Sequence, residues 1–146
     1  MIKKVITAAS VVALLLTACR TEPEETTVTE DSEMILAIDG TEVPVIWEDN
    51  TSVGELEELA ASGLTIEMSM YGGFEQVGPV GSTITSSDVQ ITTSPGDIVL
   101  YSGDQMVIFY GSNSWSYTRL GRIDLPSEEI TEHLSGSDVT ITITGG

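Results

Sequence analysis

Apolar and polar residues alternate along much of the chain from residue 34 onwards. This alternation places successive side chains on opposite faces of an extended strand. The runs that predict strands are 34–47, 64–71, 98–111, 114–123 and 139–146. The first and third of these are predicted hairpins, with turns at Asp39-Gly40 and at 102–104. We expect the loop of the first hairpin to differ slightly from two residues.

Two segments have the spacing of short helices instead. The first begins near residue 52, where Ser52 and Glu55 are spaced as in an N-terminal capping box, and apolar residues follow at helical intervals. Gly63 is suited to end this helix. The second is predicted from Pro126 to Leu134, with proline near its start.

Many strands and only two short helices indicate a mainly β domain over residues 34–146, a length typical of one domain. Because strands lie at both ends of this region, we expect them to close on each other. The prediction is a closed or nearly closed antiparallel β-barrel, with the two helices at its ends. No internal repeat is present.

The N-terminal residues 1–18 have the pattern of a signal peptide. Lys3 and Lys4 precede an apolar run that is short of the ~20 residues needed to span a bilayer as a helix. The segment Leu16-Thr17-Ala18-Cys19 resembles the lipobox of bacterial lipoproteins. In that family the cysteine is diacylated and becomes the new N-terminus. The alternative is an ordinary signal peptide followed by an incidental cysteine.

Cys19 is the chain's sole cysteine, so it has no partner for an internal disulfide. The lipobox resemblance implies instead that it carries at least two acyl chains, which is enough for stable anchoring. We therefore expect a lipid-anchored, extracytoplasmic protein of the cell membrane or cell envelope. The lipid bilayer is its first expected partner.

All 23 acidic residues follow Cys19, and removal of residues 1–18 leaves three arginines and no lysine. Nucleic acid is excluded as a partner, because phosphate contacts need clustered basic residues. Docking on anionic lipid headgroups is excluded for the same reason. Residues 19–33 hold the predicted lipidated cysteine and a segment rich in Glu and Thr, which we expect to be a disordered acidic tether.

The order of the motifs adds a family resemblance over roughly residues 34–144. Its most diagnostic pieces are Pro95-Gly96-Asp97, the segment 105–111 and the segment 117–123, YTRLGRI. Together with the preceding hairpin and helix they resemble the small bacterial cyclophilin-like domain family. Members of that family are often lipoproteins or are fused to other extracytoplasmic modules. The resemblance implies a closed cyclophilin-like antiparallel β-barrel of about eight strands, capped by two short helices.

The same resemblance raises the question of prolyl isomerisation. In true cyclophilins an arginine in an early barrel strand polarises the proline amide, whereas no basic residue lies between Arg20 and Arg119 here. Gln105 and Phe109 correspond to pocket residues in a loosely similar segment. We therefore expect a non-enzymatic module that binds a ligand or peptide. The alternative is a weak or specialised peptidyl-prolyl isomerase.

Few other residues are candidates for a site. Tyr71 and Phe74 flank two glycines, either as the rim of a pocket or as an ordinary hairpin turn. Tyr117 and Arg119 share one face of their predicted strand, and a bulge at Gly121 would shift Arg122.

The two arginines could bind a peptide or a small anionic ligand, but an ion pair with a neighbouring carboxylate is the favoured role of Arg119. The two roles are nearly even for Arg122.

The chain has a single histidine, His133, placed late in a predicted helix, so we expect no catalytic residue, no cofactor and no metal site built on His or Cys. Calcium binding is the alternative for Asp39, Glu48 and Asp49, which we interpret as turn and cap residues, so no metal site is predicted.

Overall fold

The computed structural model describes residues 34–145, which contain eleven strands and two helices. The predicted signal peptide, Cys19 and the tether lie outside these residues. The helices are α1, Thr51–Ala60, and α2, Ser127–Leu134. The strands are β1 Ile35–Ile38, β2 Thr41–Val43, β3 Val45–Trp47, β4 Leu64–Glu67, β5 Ser69–Tyr71, β6 Glu75–Pro79, β7 Val89–Thr92, β8 Asp97–Tyr101, β9 Gln105–Phe109, β10 Ser114–Ile123 and β11 Thr140–Thr144.

The strands form two antiparallel sheets. One has four strands in the order β2-β1-β11-β4. The other has seven strands: six lie in the order β3-β10-β8-β9-β6-β5, and the seventh, β7, also pairs with β10. Two continuous stretches contribute to both sheets. Residues 41–47 supply β2 and β3, separated at Pro44, which lacks the amide hydrogen that a ladder needs. Residues 64–71 supply β4 and β5 in the same way.

The prediction of a mainly β fold with two short helices is confirmed. The finer prediction, one closed barrel of about eight strands, is not established, because the described chain has eleven strands in two sheets. Each of the stretches 41–47 and 64–71 has a single run of strand-like residues. In each run the first strand pairs within one sheet and the second strand within the other. One strand of each run pairs with a strand that is distant in sequence, β3 with β10 and β4 with β11, so the local pattern contains no signal for the division.

One hydrophobic core joins both sheets and both helices. Fully buried aliphatic side chains from the four-stranded sheet meet those from the seven-stranded sheet, while Leu56 of α1 and Leu134 of α2 cover the remaining sides. The strands β6 and β4 approach closely at Gly78, where a β-carbon would collide with the backbone of Glu67. A larger residue at this position would therefore push the two strands apart.

The turns follow local rules. The first hairpin has a two-residue loop, with φ of 49° at Asp39 and 86° at Gly40, so the expected departure from two residues was wrong. Left-handed conformations of this kind favour Asp, Asn and Gly. Gly63, with φ of 95°, follows the end of α1 as predicted. Helix α2 begins at Ser127, directly after Pro126.

The predicted capping box of α1 was wrong. The N-cap is Asn50, whose side-chain oxygen accepts a hydrogen bond from the Val53 amide at 2.8 Å. Ser52 lies inside the helix and donates to the carbonyl oxygen of Thr85. The Glu55 carboxylate accepts from the Thr85 amide at 2.7 Å. Both side chains therefore hold a loop that is thirty residues away in sequence, rather than the end of their own helix.

The seven-stranded sheet has a second apolar layer on the face opposite the core. Along β8 and β9, Ile98 and Ile108 point into the core, whereas Val99 and Val107 point outward. The outward layer also contains Phe109 and Tyr117, with partly buried side chains packed against it. This outer layer forms the floor of the site described next.

Candidate functional site

A cavity of about 280 Å³ opens on the outer face of the seven-stranded sheet. Pockets for drug-sized ligands occupy roughly 300–1,000 Å³, so this cavity is suited to one side chain or a small molecule. Its lining comes from five strands and the segments next to them: Tyr71, Phe74, Glu75, Val77, Tyr101, Val107, Asn113, Trp115 and Tyr117. Five of these nine residues are aromatic.

Packed aromatic rings make the floor of the cavity. The ring of Phe109 stacks on Phe74 with centroids 6.4 Å apart and meets Tyr117 edge to face at 5.7 Å. Tyr117 makes a second edge-to-face contact with Tyr101 at 6.2 Å. Such arrangements are the favoured ones for aromatic pairs, and they restrain each ring. The contacts between the rings therefore fix the shape of the floor.

Two large aromatic side chains stand exposed at the sides of the cavity. Tyr71 is 64% exposed and Trp115 is 55% exposed. Tyr71 precedes the glycine pair of the β5–β6 hairpin, so the turn and the pocket-rim interpretations of this motif both hold. Exposed aromatic groups beside a cavity are typical of surfaces that bind a partner.

Glu75 is the acidic residue of the cavity, and strand pairing explains its burial. It lies opposite Tyr71 on β5 and opposite Phe109 on β9. Only 7% of its surface is exposed. Burial raises the pKa of its carboxyl group to about 7, and no donor or cation among residues 34–145 offsets that rise. Glu75 is therefore poised between its neutral and ionised forms near neutral pH.

The far wall of the cavity is held by Asn113. Its side-chain amide donates to the Tyr117 hydroxyl at 2.8 Å, and its backbone exchanges hydrogen bonds with Thr93. Burial raises the pKa of Tyr117, the hydrogen bond from Asn113 offsets part of that rise, and the nearby Glu75 carboxylate adds to it. Both polar groups of this wall are thus fixed in position.

The two arginines lie outside the cavity. Arg119 forms a salt bridge to Asp97 at 3.1 Å, and Asp97 is 4% exposed. Arg122 is 3.8 Å from Asp124, and both of these side chains are exposed. The register of β10 against β8 shifts between Arg119 and Gly121, which confirms the predicted bulge. The contact with Asp97 favours the ion-pair role of Arg119 over ligand binding.

The structure brings together some of the residues predicted from sequence and leaves others apart. Tyr71, Phe74 and Tyr117 line the cavity, and Phe109 packs directly beneath them. Gln105 lies half-buried at the start of β9, opposite Tyr101, and is not part of the lining.

Four polar or aromatic residues of the lining were missed by the sequence analysis: Glu75, Tyr101, Asn113 and Trp115. Trp115 had a usable signal, because it stands two residues before Tyr117 and so shares its face of the strand. Glu75 had none, since an acidic residue in an alternating strand ordinarily points to solvent.

The described residues contain neither a candidate metal site nor a candidate membrane-spanning helix. No group of three or more His, Cys, Asp or Glu side chains within 34–145 is arranged to hold a metal ion. Neither α1 nor α2 is long and apolar enough to cross a membrane.

The fold and the cavity define a mainly β domain with an aromatic pocket on the outer face of a sheet. The model of the Cyclophilin-like family matches residues 36–144, and the chain belongs to that family. This confirms the resemblance drawn from the sequence motifs. No curated protein matches the chain. Because one fold serves many functions, activity has to be argued from the site itself.

Proposed function

We propose that the protein is a membrane-anchored extracytoplasmic lipoprotein whose cyclophilin-like domain binds a ligand or a peptide side chain without catalysing a reaction. The observation that carries the proposal is the aromatic cavity with its buried Glu75. In this proposal the two sheets, joined through 41–47 and 64–71, act as one barrel that presents the cavity outward. The lipid on Cys19 and the acidic tether hold it at the membrane.

Electrostatics argue against prolyl isomerisation. Stabilising a twisted proline amide requires a donor, usually cationic, aimed at the amide. The basic residues of the described chain are Arg119, Arg122 and His133, and none of them lines the cavity. The buried carboxyl group of the cavity, Glu75, has the opposite charge when it is ionised. The alternative, a weak or specialised isomerase, is supported by the family and by the apolar character of the pocket.

The position of the arginines also bears on the ligand. An anionic ligand would be held near Arg119 or Arg122, outside the cavity. The cavity itself supports the other class of ligand considered from the sequence, a peptide that inserts a side chain into it. We therefore place peptide binding first.

A protease-coupled assay with a proline-containing peptide tests this proposal. We expect the full chain in detergent to leave the rate of isomerisation at its uncatalysed value. Trp115→Ala removes an exposed wall of the cavity, and Ile46→Ala removes an exposed apolar side chain on β3 as a matched control. Acceleration that grows with protein concentration, is lost in Trp115→Ala and persists in Ile46→Ala would establish the isomerase instead.

The anchor has its own test. Cys19→Ser should abolish incorporation of a metabolic lipid probe, because the serine hydroxyl does not replace the thiol that is acylated. The variant should accumulate as uncleaved precursor or as mislocalised protein. Equal labelling of the wild type and Cys19→Ser would contradict anchoring through this residue.

A further inference from the structure

We propose that the cavity selects ligands that carry an organic ammonium group, with Glu75 as the anion that receives it and the surrounding ring faces as the rest of the site. This inference rests on the proposed binding function and narrows it to a ligand class. The ammonium group could belong to a lysine side chain of a peptide or to a small alkylammonium compound. The two sources share the chemistry that the cavity recognises.

Glu75 is buried without a partner among the described residues. A buried carboxylate is costly unless a cation or hydrogen-bond donors compensate it. The other buried acid of the sheet, Asp97, has the Arg119 guanidinium at 3.1 Å and the Ser94 amide at 2.9 Å. Glu75 is buried to a similar degree but is compensated by no donor or cation of the described chain. A cation bound in the cavity would supply the missing partner.

The aromatic rings that line the cavity also favour a cation. The faces of Tyr and Trp rings attract cations, and cages of such rings bind ammonium groups, above all methylated ones. Tyr71, Tyr101 and Trp115 are all exposed at the cavity, so their rings are accessible to a ligand. A carboxylate beside accessible rings favours a cation over a neutral group and rejects an anion.

Size and overall charge agree with this assignment. A volume of about 280 Å³ admits a trimethylammonium group or the end of a lysine side chain. From residue 34 to the C-terminus the chain has two arginines and no lysine, against 17 Asp and Glu. Its negative field attracts cations to the surface. The ammonium group must come from another molecule, because the folded domain has no lysine of its own.

The proposal carries a pH dependence with a defined sign. The titratable groups that face Glu75 within the cavity are the tyrosines on β5, β8 and β10, and β9 presents Val107 and Phe109. Tyrosine hydroxyls ordinarily ionise near pH 10. Glu75 is therefore the cavity group that ionises near neutral pH, and its ionised form, which dominates at higher pH, is the one that binds a cation.

Calorimetric titration of the full chain in detergent tests the inference, in phosphate buffer free of amines. The probes are choline and its neutral isostere 3,3-dimethylbutan-1-ol, and lysine capped at both ends with capped norleucine as its neutral counterpart. At about pH 8 we expect at least one cation to bind about ten-fold more tightly than its neutral counterpart. At about pH 6 its affinity should fall about ten-fold, because Glu75 is then mostly protonated.

Two variants assign the preference to the cavity. Glu75→Gln keeps the shape of the side chain and should abolish both the preference for the cation and its pH dependence. Glu42→Gln removes an exposed carboxylate on β2, in the other sheet, and should keep both. This control separates the local effect of Glu75 from the loss of one charge on an acidic protein.

The outcomes are distinct. Binding of choline alone would identify a small alkylammonium compound as the ligand, and binding of capped lysine alone would identify a peptide. Either result supports the inference. Equal affinity for charged and neutral probes, an unchanged preference in Glu75→Gln, or tighter binding at the lower pH would overturn it. So would the absence of cation binding up to about 50 mM. The proposed function is judged separately by the isomerase assay, which contains no ammonium probe.

Discussion

Arg119→Gln should lower the free energy of unfolding by about 3 kcal/mol, because it removes the cation that compensates the buried Asp97 carboxylate. Breaking a buried ion pair typically costs about 3–5 kcal/mol. We expect the lower end because the Arg119 side chain is 38% exposed and the Ser94 amide still donates to Asp97. Urea unfolding of the full chain measures the loss.

Arg122→Gln is the matched control for this prediction. It makes the same change of charge on the same strand, but the contact it removes is long and exposed, so the expected loss is about 0–1 kcal/mol. Equal small losses in both variants would contradict the structural role of Arg119. If Arg119→Gln kept its stability and lost affinity for a ligand, Arg119 would be a binding residue.

Glu75→Gln should remove a pH dependence of stability. The pKa of Glu75 is about 7 in the folded protein, against an ordinary value of 4.5. The folded state therefore holds this proton more tightly than the unfolded state. The stability that results is fully present below pH 4.5 and is lost as the pH rises through 7.

The expected size of this effect is about 2–3 kcal/mol, after allowance for screening by solvent in the open cavity. The wild type should lose this amount relative to Glu75→Gln between about pH 4.5 and about pH 8. Unfolding curves of both proteins across that range measure the difference, with Glu42→Gln as the control. A difference that stays constant with pH would show that Glu75 ionises normally.

Local signals in the sequence were sufficient for several elements. Asp39-Gly40 marked a hairpin turn, Pro126 marked the start of α2, and Gly121 marked the bulge in β10. Each of these features depends on the conformational preference of one or two residues. The alternation of apolar and polar residues predicted a mainly β fold with two helices and the motifs predicted the family, and the structure and the family match support both.

Contacts between distant residues could not be predicted in this way. Ser52 and Glu55 had the spacing of a capping box, but the loop at Thr85 provides better partners for both side chains. The division of 41–47 and 64–71 between two sheets depends on the same kind of distant pairing. Spacing along the chain says which bonds a residue is able to make, whereas packing decides which of them form.

Only part of the site was predicted, because the rest of it also depends on contacts between distant residues. Aromatic residues such as Tyr71 and Tyr117 are recognisable from their type and spacing. The burial of Glu75 arises because β5 and β9 place aromatic rings on either side of it. The pairing of β6 with these two strands is visible only in three dimensions.

The two tryptophans of the chain allow a direct test of whether ligands bind in the cavity. Trp115 lines the cavity, whereas the indole of Trp47 donates to the Met34 carbonyl oxygen and packs against the core. In ¹⁵N-labelled full chain, addition of choline or capped lysine should shift the indole NMR signal of Trp115 and leave that of Trp47 in place. A bound probe that leaves the Trp115 signal unchanged would contradict the account.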